Sequence, residues 1–190
     1  MTGLILYIRT TLLNHEAIAE LTTSPKWNIW GHLVTILLGV IYGFISIQQN
    51  IDYISSFEAE FLRNIVVPGF FILSGIIMVF LTRVALSLLL WAASRGFGGP
   101  GLLGQIFRLS AGALIPSILA MPGFIADGVG ATVPFIAVVG VILGIAWMYM
   151  TCVKIVLVTQ KFVPWKAYAS VLVIFIFFIS IYYIVTPPAT

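Results

Sequence analysis

Five long runs of apolar residues, almost free of charge, constrain this chain more than any other feature of its sequence. A bilayer core about 30 Å thick is crossed by about 20 helical residues. The runs therefore predict transmembrane helices at about residues 27–47, 66–93, 109–126, 133–153 and 168–185. Only 8% of all residues are charged, against about 25% in a soluble domain. We expect an all-α, polytopic membrane protein built as a bundle of five transmembrane helices.

The third run differs from the others because it contains two prolines. Pro116 and Pro122 lack the backbone N–H that a helix interior uses, and lipid offers no substitute partner. Small residues around Gly112 line the same segment. The sequence predicts that the third span is either tilted or broken, and leaves the choice between the two open.

Residues 1–26 form a separate N-terminal segment ahead of the membrane domain at 27–190. In its first part, one helical face is apolar and consists of Leu4, Ile5, Ile8 and Leu12. Arg9 lies off that face. This pattern is typical of an amphipathic helix that lies in the membrane interface. Asn14 is placed to cap a second short helix that runs through Leu21.

The orientation of the bundle follows from the distribution of lysine and arginine, which is biased toward cytoplasmic loops. With five spans, seven basic residues share the side of the N-terminus: Arg9, Lys26, Arg95, Arg108, Lys154, Lys161 and Lys166. The opposite side carries Arg63. The N-terminus is therefore predicted to be cytoplasmic and the C-terminus to lie outside or in a lumen.

Arg83 lies within the second run, and a charge at that depth is by default a candidate functional residue. In one interpretation it forms an anion or lipid-headgroup site with Arg95 and Arg108. In the other, its guanidinium extends to the nearer interface. The full candidate set for lipid or anion binding comprises Arg83, Arg95, Arg108, Lys154, Lys161 and Lys166.

Small residues in the later spans indicate close helix packing. Gly140 and Gly144 have the Gly-x-x-x-Gly spacing that lets two membrane helices approach each other. Together with Gly112 and Pro116 they are candidate packing or partner-contact residues. Their partner is either another helix of the same chain or a second copy in a homo-oligomer.

Several classes of function are not indicated by the sequence. His15 and His32 are 17 residues apart without neighbouring ligands, so no metal site is expected. No catalytic constellation or cofactor motif is recognisable, and an enzyme is not expected. The basic residues are dispersed among apolar runs, so membrane lipids are expected as partners and nucleic acid is not.

The order of these features resembles that of the Yip-domain membrane proteins, named for interaction with Ypt/Rab GTPases and also found in prokaryotes. The resemblance covers roughly residues 10–185 and depends on layout and a few short segments: residues 12–18, 91–94, 98–99, 104–108, Pro116 and 166–167. It implies a five-span protein with a cytoplasmic N-terminus and no enzymatic activity. The long acidic N-terminal region of eukaryotic members is lacking, which favours a prokaryotic plasma-membrane setting.

Two functions are expected from these observations. The first is a membrane scaffold or accessory subunit that acts through an integral membrane partner and anionic lipid. The alternative is a small transporter or lipid-handling protein with a site near Arg83 and the proline-bearing third span. A polar cavity that reaches Arg83 would favour the alternative, and a closed bundle would favour the scaffold.

Overall fold

The computed structural model describes residues 3–23, 25–128 and 132–185. Its α-helices are α1 (Gly3–Thr11), α2 (His15–Thr23), α3 (Trp27–Gln49), α4 (Ile51–Ser55), α5 (Val67–Gly96), α6 (Leu103–Leu114), α7 (Met121–Gly128), α8 (Phe135–Gln160) and α9 (Pro164–Val185). The predicted fold class, an all-α membrane bundle, is confirmed. The C-terminal tail, which the orientation prediction includes, lies outside the described residues.

Among the described residues, four continuous helices are long and apolar enough to cross a membrane: α3, α8, α9, and α5 together with a π-helical turn at Leu62–Val66. Two of them extend further than the apolar runs suggest. The helix α5 continues to Gly96 and α8 continues to Gln160. Lys154, expected where a loop begins, therefore lies within α8.

The segment predicted as the third span is broken. The helix α6 ends at Leu114, a 3-10 turn covers Ile115–Leu119, and α7 then leaves at an angle of 68°. Pro116 lies in the 3-10 turn and Pro122 in the first turn of α7, where their missing N–H groups cost no interior helical bond. The sequence left a tilt and a break open, and the structure has the break.

The helices α3 and α5 form the tightest helix pair in the bundle, across glycines that the sequence predictions did not include. A Cβ atom on Gly43 would lie 2.5 Å from the Cα of Ile72, and one on Gly75 would overlap the carbonyl oxygen of Gly39. Gly39 and Gly43 have the same Gly-x-x-x-Gly spacing that was noted in α8. Backbone therefore meets backbone along this seam, as small residues permit in membranes.

The N-terminal helices α1 and α2 contact each other and are called here the N-terminal hairpin, which packs against α3, α6 and α8. Asn14 caps α2 as predicted, since its Oδ1 accepts from the N–H of Ala17 at 3.0 Å. At the end of α1, next to the turn into α2, the carbonyl of Thr11 accepts a hydrogen bond from the indole N–H of Trp147 at 2.6 Å. Trp147 lies 12 residues into α8, or about 18 Å along it, so the hairpin penetrates between the long helices.

The hairpin has two apolar faces. Leu4, Ile5 and Ile8, on the face identified from the sequence, are exposed. The opposite face fills the bundle with fully enclosed side chains, namely Leu6, Tyr7, Ile18 and Leu21. The depth of this hairpin relative to a bilayer stays a prediction.

Candidate functional site

Arg83 on α5 lies in the interior of the bundle with no exposed surface. Its Nη2 donates to the carbonyl of Phe107 at 2.9 Å, and its Nη1 donates to the hydroxyl of Thr35 at 3.0 Å. The guanidinium also lies 4.3 Å from the centre of the Phe107 ring, a cation–π distance. One side chain thus connects α5 to α3 and α6.

Hydroxyl groups complete the surroundings of this guanidinium. Ser110 on α6 lies 3.4 Å from the Nε of Arg83, and its hydroxyl oxygen is 2.9 Å from that of Ser87. Ser87 in turn donates to the carbonyl of Arg83 at 2.6 Å. His32 also lies close, with its Nδ1 at 3.5 Å from Nη1. The result is a small polar layer inside an otherwise apolar bundle.

Arg108, which follows Phe107 in α6, lies beside this layer. Its Nη1 donates to the carbonyls of Leu21 and Thr22, at 2.9 and 3.0 Å. These carbonyls belong to the last turn of α2, where a cation is favoured by the helix dipole. The side chain is only 7% exposed, and its buried Nε has no hydrogen-bond partner.

Tyr7 of the hairpin stands between the two arginines. Its hydroxyl lies 3.0 Å from the carbonyl of Arg108 and 3.1 Å from that of Trp27, and can donate to either. A Cβ on Gly31 would lie 2.7 Å from this hydroxyl and 2.8 Å from Nη2 of Arg83, so only glycine leaves room there. Burial raises the pKa of Tyr7 to about 12, although both arginines act against the rise. Tyr7 is therefore neutral at physiological pH.

The two guanidiniums have no acidic partner within the part of the chain that the structure describes. Arg83 is held by a carbonyl, hydroxyls and an imidazole, and Arg108 by two carbonyls. Buried charges in proteins are normally paired with an opposite charge or a metal. Two enclosed cations without such a partner among the described residues are therefore unusual.

The remaining predicted cations lie elsewhere. Arg95 is exposed, about 18 Å further along α5 than Arg83. Lys161 is also exposed and ends α8 in a left-handed conformation, with φ at 52°. Lys166 approaches the carbonyl of Phe97 at 3.4 Å. Arg83 and Arg108 thus both lie near Tyr7, whereas Arg95 lies apart from them. Lipid binding by the exposed cations stays a prediction.

The predicted small residues contact segments of the same chain. A Cβ on Gly140 would lie 2.5 Å from the carbonyl oxygen of Leu119, and one on Gly144 would lie 3.0 Å from that of Pro116. Gly112 faces the hairpin, where an added Cβ would lie 3.3 Å from the Cβ of Thr10. Gly140 and Gly144 thus let the broken segment pack closely against α8, and Gly112 lets the hairpin pack closely against α6.

An apolar cleft of about 830 Å³ opens beside α8 and α9. Its walls include Leu119 of the broken span and Leu13 of the hairpin turn, together with Val141, Trp147, Leu172 and Phe175. Arg83 and Arg108 do not line it. Across the described residues, no group of three histidine, cysteine or acidic side chains could hold a metal ion.

Comparison with known proteins gives no match among protein-family models, curated proteins or solved structures. The likeness to Yip-domain proteins therefore depends on the sequence segments quoted above.

Proposed function

We propose that the protein is a non-enzymatic membrane scaffold or accessory subunit that acts through an integral membrane partner and through lipid. The observation that carries the proposal is the use of Arg83, a fully buried charge, as a brace between α3, α5 and α6. A guanidinium enclosed by its own chain rigidifies a bundle and offers no open polar route across it. The Yip-domain likeness supports the same class and a prokaryotic plasma membrane, with the N-terminus cytoplasmic.

The test is photo-crosslinking of the full chain in its native membrane. A photoreactive residue is placed at one of two exposed positions on different helices, Phe70 on α5 or Leu172 on α9. We expect one face to yield a defined adduct with another membrane protein, and the other face to yield lipid alone. Lipid adducts from both faces, together with a lone monomer in mild detergent, would refute the scaffold.

A second candidate, a lipid-handling protein, is favoured by a different observation. Arg83 and Arg108 are enclosed without an acidic partner among the described residues, next to a span that bends by 68°. Broken spans and intramembrane charges are common where membrane proteins bind polar substrates. Transfer of anionic lipid between vesicles by the reconstituted protein would support this candidate, and a rate equal to that of empty vesicles would exclude it.

A further inference from the structure

The N-terminal hairpin offers Arg108 only a partial negative charge. The carbonyls of Leu21 and Thr22 end α2, and a helix C-terminus carries roughly half a negative charge. Tyr7, also from the hairpin, is neutral and adds no charge. The hairpin thus satisfies hydrogen-bond donors of Arg108 but does not neutralise its charge.

We propose that Arg108 and Arg83 form a binding site for a phosphate-bearing anion, and that the N-terminal hairpin is an intramolecular competitor that fills this site. The inference deepens the lipid-binding part of the proposed function. Anion binding and hairpin docking exclude each other because Tyr7 and the end of α2 fill the space that the anion would occupy. An anion therefore shifts the hairpin toward an undocked position, and a docked hairpin weakens anion binding.

The chemistry of the two arginines suits phosphate. Guanidinium groups present a planar set of donors that matches phosphate oxygens and forms short, charge-assisted hydrogen bonds. Arg108 has one such donor, Nε, already without a partner although its side chain is more than nine-tenths buried. The indole N–H of Trp27, at the start of α3, is likewise buried and unpartnered.

The location suits a lipid headgroup. The site lies against Trp27, where α3 begins, and tryptophans at span ends prefer headgroup depth. The outer face of α1 presents Leu4, Ile5 and Ile8 to the surroundings, which suits an adjoining acyl chain. A free phosphate-containing anion has the same recognition chemistry, so the experiment separates the two sources.

The geometry also shows why the hairpin must move. The hydroxyl of Tyr7 and Nη2 of Arg83 converge on the space above Gly31, where not even a methyl group fits. A phosphate enters only when Tyr7 and the end of α2 withdraw. Holding the hairpin against α6 should therefore block binding without altering any charge of the site.

A disulfide between Thr10 and Gly112 provides such a clamp. A Cβ on Gly112 would lie 3.3 Å from the Cβ of Thr10, close to the separation of about 3.5–4.5 Å in disulfides. The double variant Thr10→Cys, Gly112→Cys is made with Cys152→Ala, which removes the buried native thiol. Binding of fluorescent short-chain phosphatidylglycerol to the purified full chain is then measured before and after reduction.

We expect binding to the oxidised clamp to be about tenfold weaker or more, a difference of about 1.4 kcal/mol, and to recover on reduction. Equal binding in the two redox states would overturn the competitor role. Arg108→Gln should weaken binding, whereas Arg95→Gln, an equal change of charge at an exposed position, should not. Equal effects of these two substitutions would overturn the assignment of the site. If Arg108→Gln does not fold, the disulfide clamp, which keeps every charge of the site, tests the proposal by itself.

Two ligand controls identify the source of the anion. Phosphatidylcholine, which has no net charge, should bind more weakly than phosphatidylglycerol, and equal binding would overturn an anion site. Displacement of phosphatidylglycerol by inorganic phosphate assigns the site to free anions, and retention assigns it to the lipid headgroup. Because purified protein is used without a partner, failure here leaves the scaffold proposal and its crosslinking test intact.

Discussion

Replacement of Gly43 by alanine should separate the two helices that hold Arg83 in place. The new Cβ would lie 2.5 Å from the Cα of Ile72 and 3.0 Å from the carbonyl oxygen of Phe71. Both are backbone atoms, so no side chain can rotate away. Relief requires α3 and α5 to move apart by about 1 Å, and such overpacking typically costs about 1–3 kcal/mol.

The net effect also includes a gain in helix propensity of up to about 1 kcal/mol for glycine to alanine. We therefore expect a loss of about 1–2 kcal/mol in the free energy of unfolding. For a chain of this size the melting temperature should fall by roughly 2–4 °C per kcal/mol. Thermal unfolding in mild detergent, followed by tryptophan fluorescence, measures the change.

Gly69→Ala is the matched control, because a Cβ at this position of α5 meets nothing within 4 Å. It should leave the melting temperature unchanged or raise it slightly. A Gly43→Ala protein that melts at or above the temperature of the Gly69→Ala protein would refute the backbone contact between α3 and α5.

Three further substitutions test the site and its supports by the same unfolding measurement. Tyr7→Phe should cost about 1 kcal/mol because it removes a buried hydrogen bond. Since the pKa of Tyr7 is raised from 10.0 to about 12, the wild type should lose stability as pH rises through that interval, and the phenylalanine variant should lose less. Arg83→Lys should cost about 1–3 kcal/mol, because an ammonium group cannot reach acceptors on two other helices at once; an unchanged melting temperature would contradict the brace. Gly140→Ala should cost about 1–2 kcal/mol after the same gain in helix propensity, through collision with the carbonyl of Leu119. Gly104→Ala, which meets nothing within 4 Å, should not destabilise the protein.

The arginine pair makes the scaffold and lipid-binding proposals compatible. In the docked state, Arg83 braces three helices and Arg108 fastens the hairpin. In the proposed anion-bound state, the hairpin would be free to contact lipid or a partner with the apolar residues it now buries. Lipid composition would then control which surface the protein presents.

The sequence alone determined the properties that depend on local composition. Uncharged length identified the membrane spans, and Asn14 before a short amphipathic stretch predicted the cap of α2, which is confirmed. Pro116 and Pro122 marked the third span as irregular, because a missing N–H acts within its own helix. The Gly39–Gly43 spacing was equally visible and could have predicted the α3–α5 contact.

Only the tertiary structure decided how the charges are used. Arg108 bonds to a carbonyl 87 residues away and Arg83 to one 24 residues away, and no periodicity in the sequence specifies which helices meet. The amphipathic N-terminal pattern identified an apolar face but not the second face that packs into the bundle. Burial, hydrogen-bond partners and the lack of an acidic neighbour among the described residues are properties of several helices together, and for that reason the arginine pair emerged only from the fold.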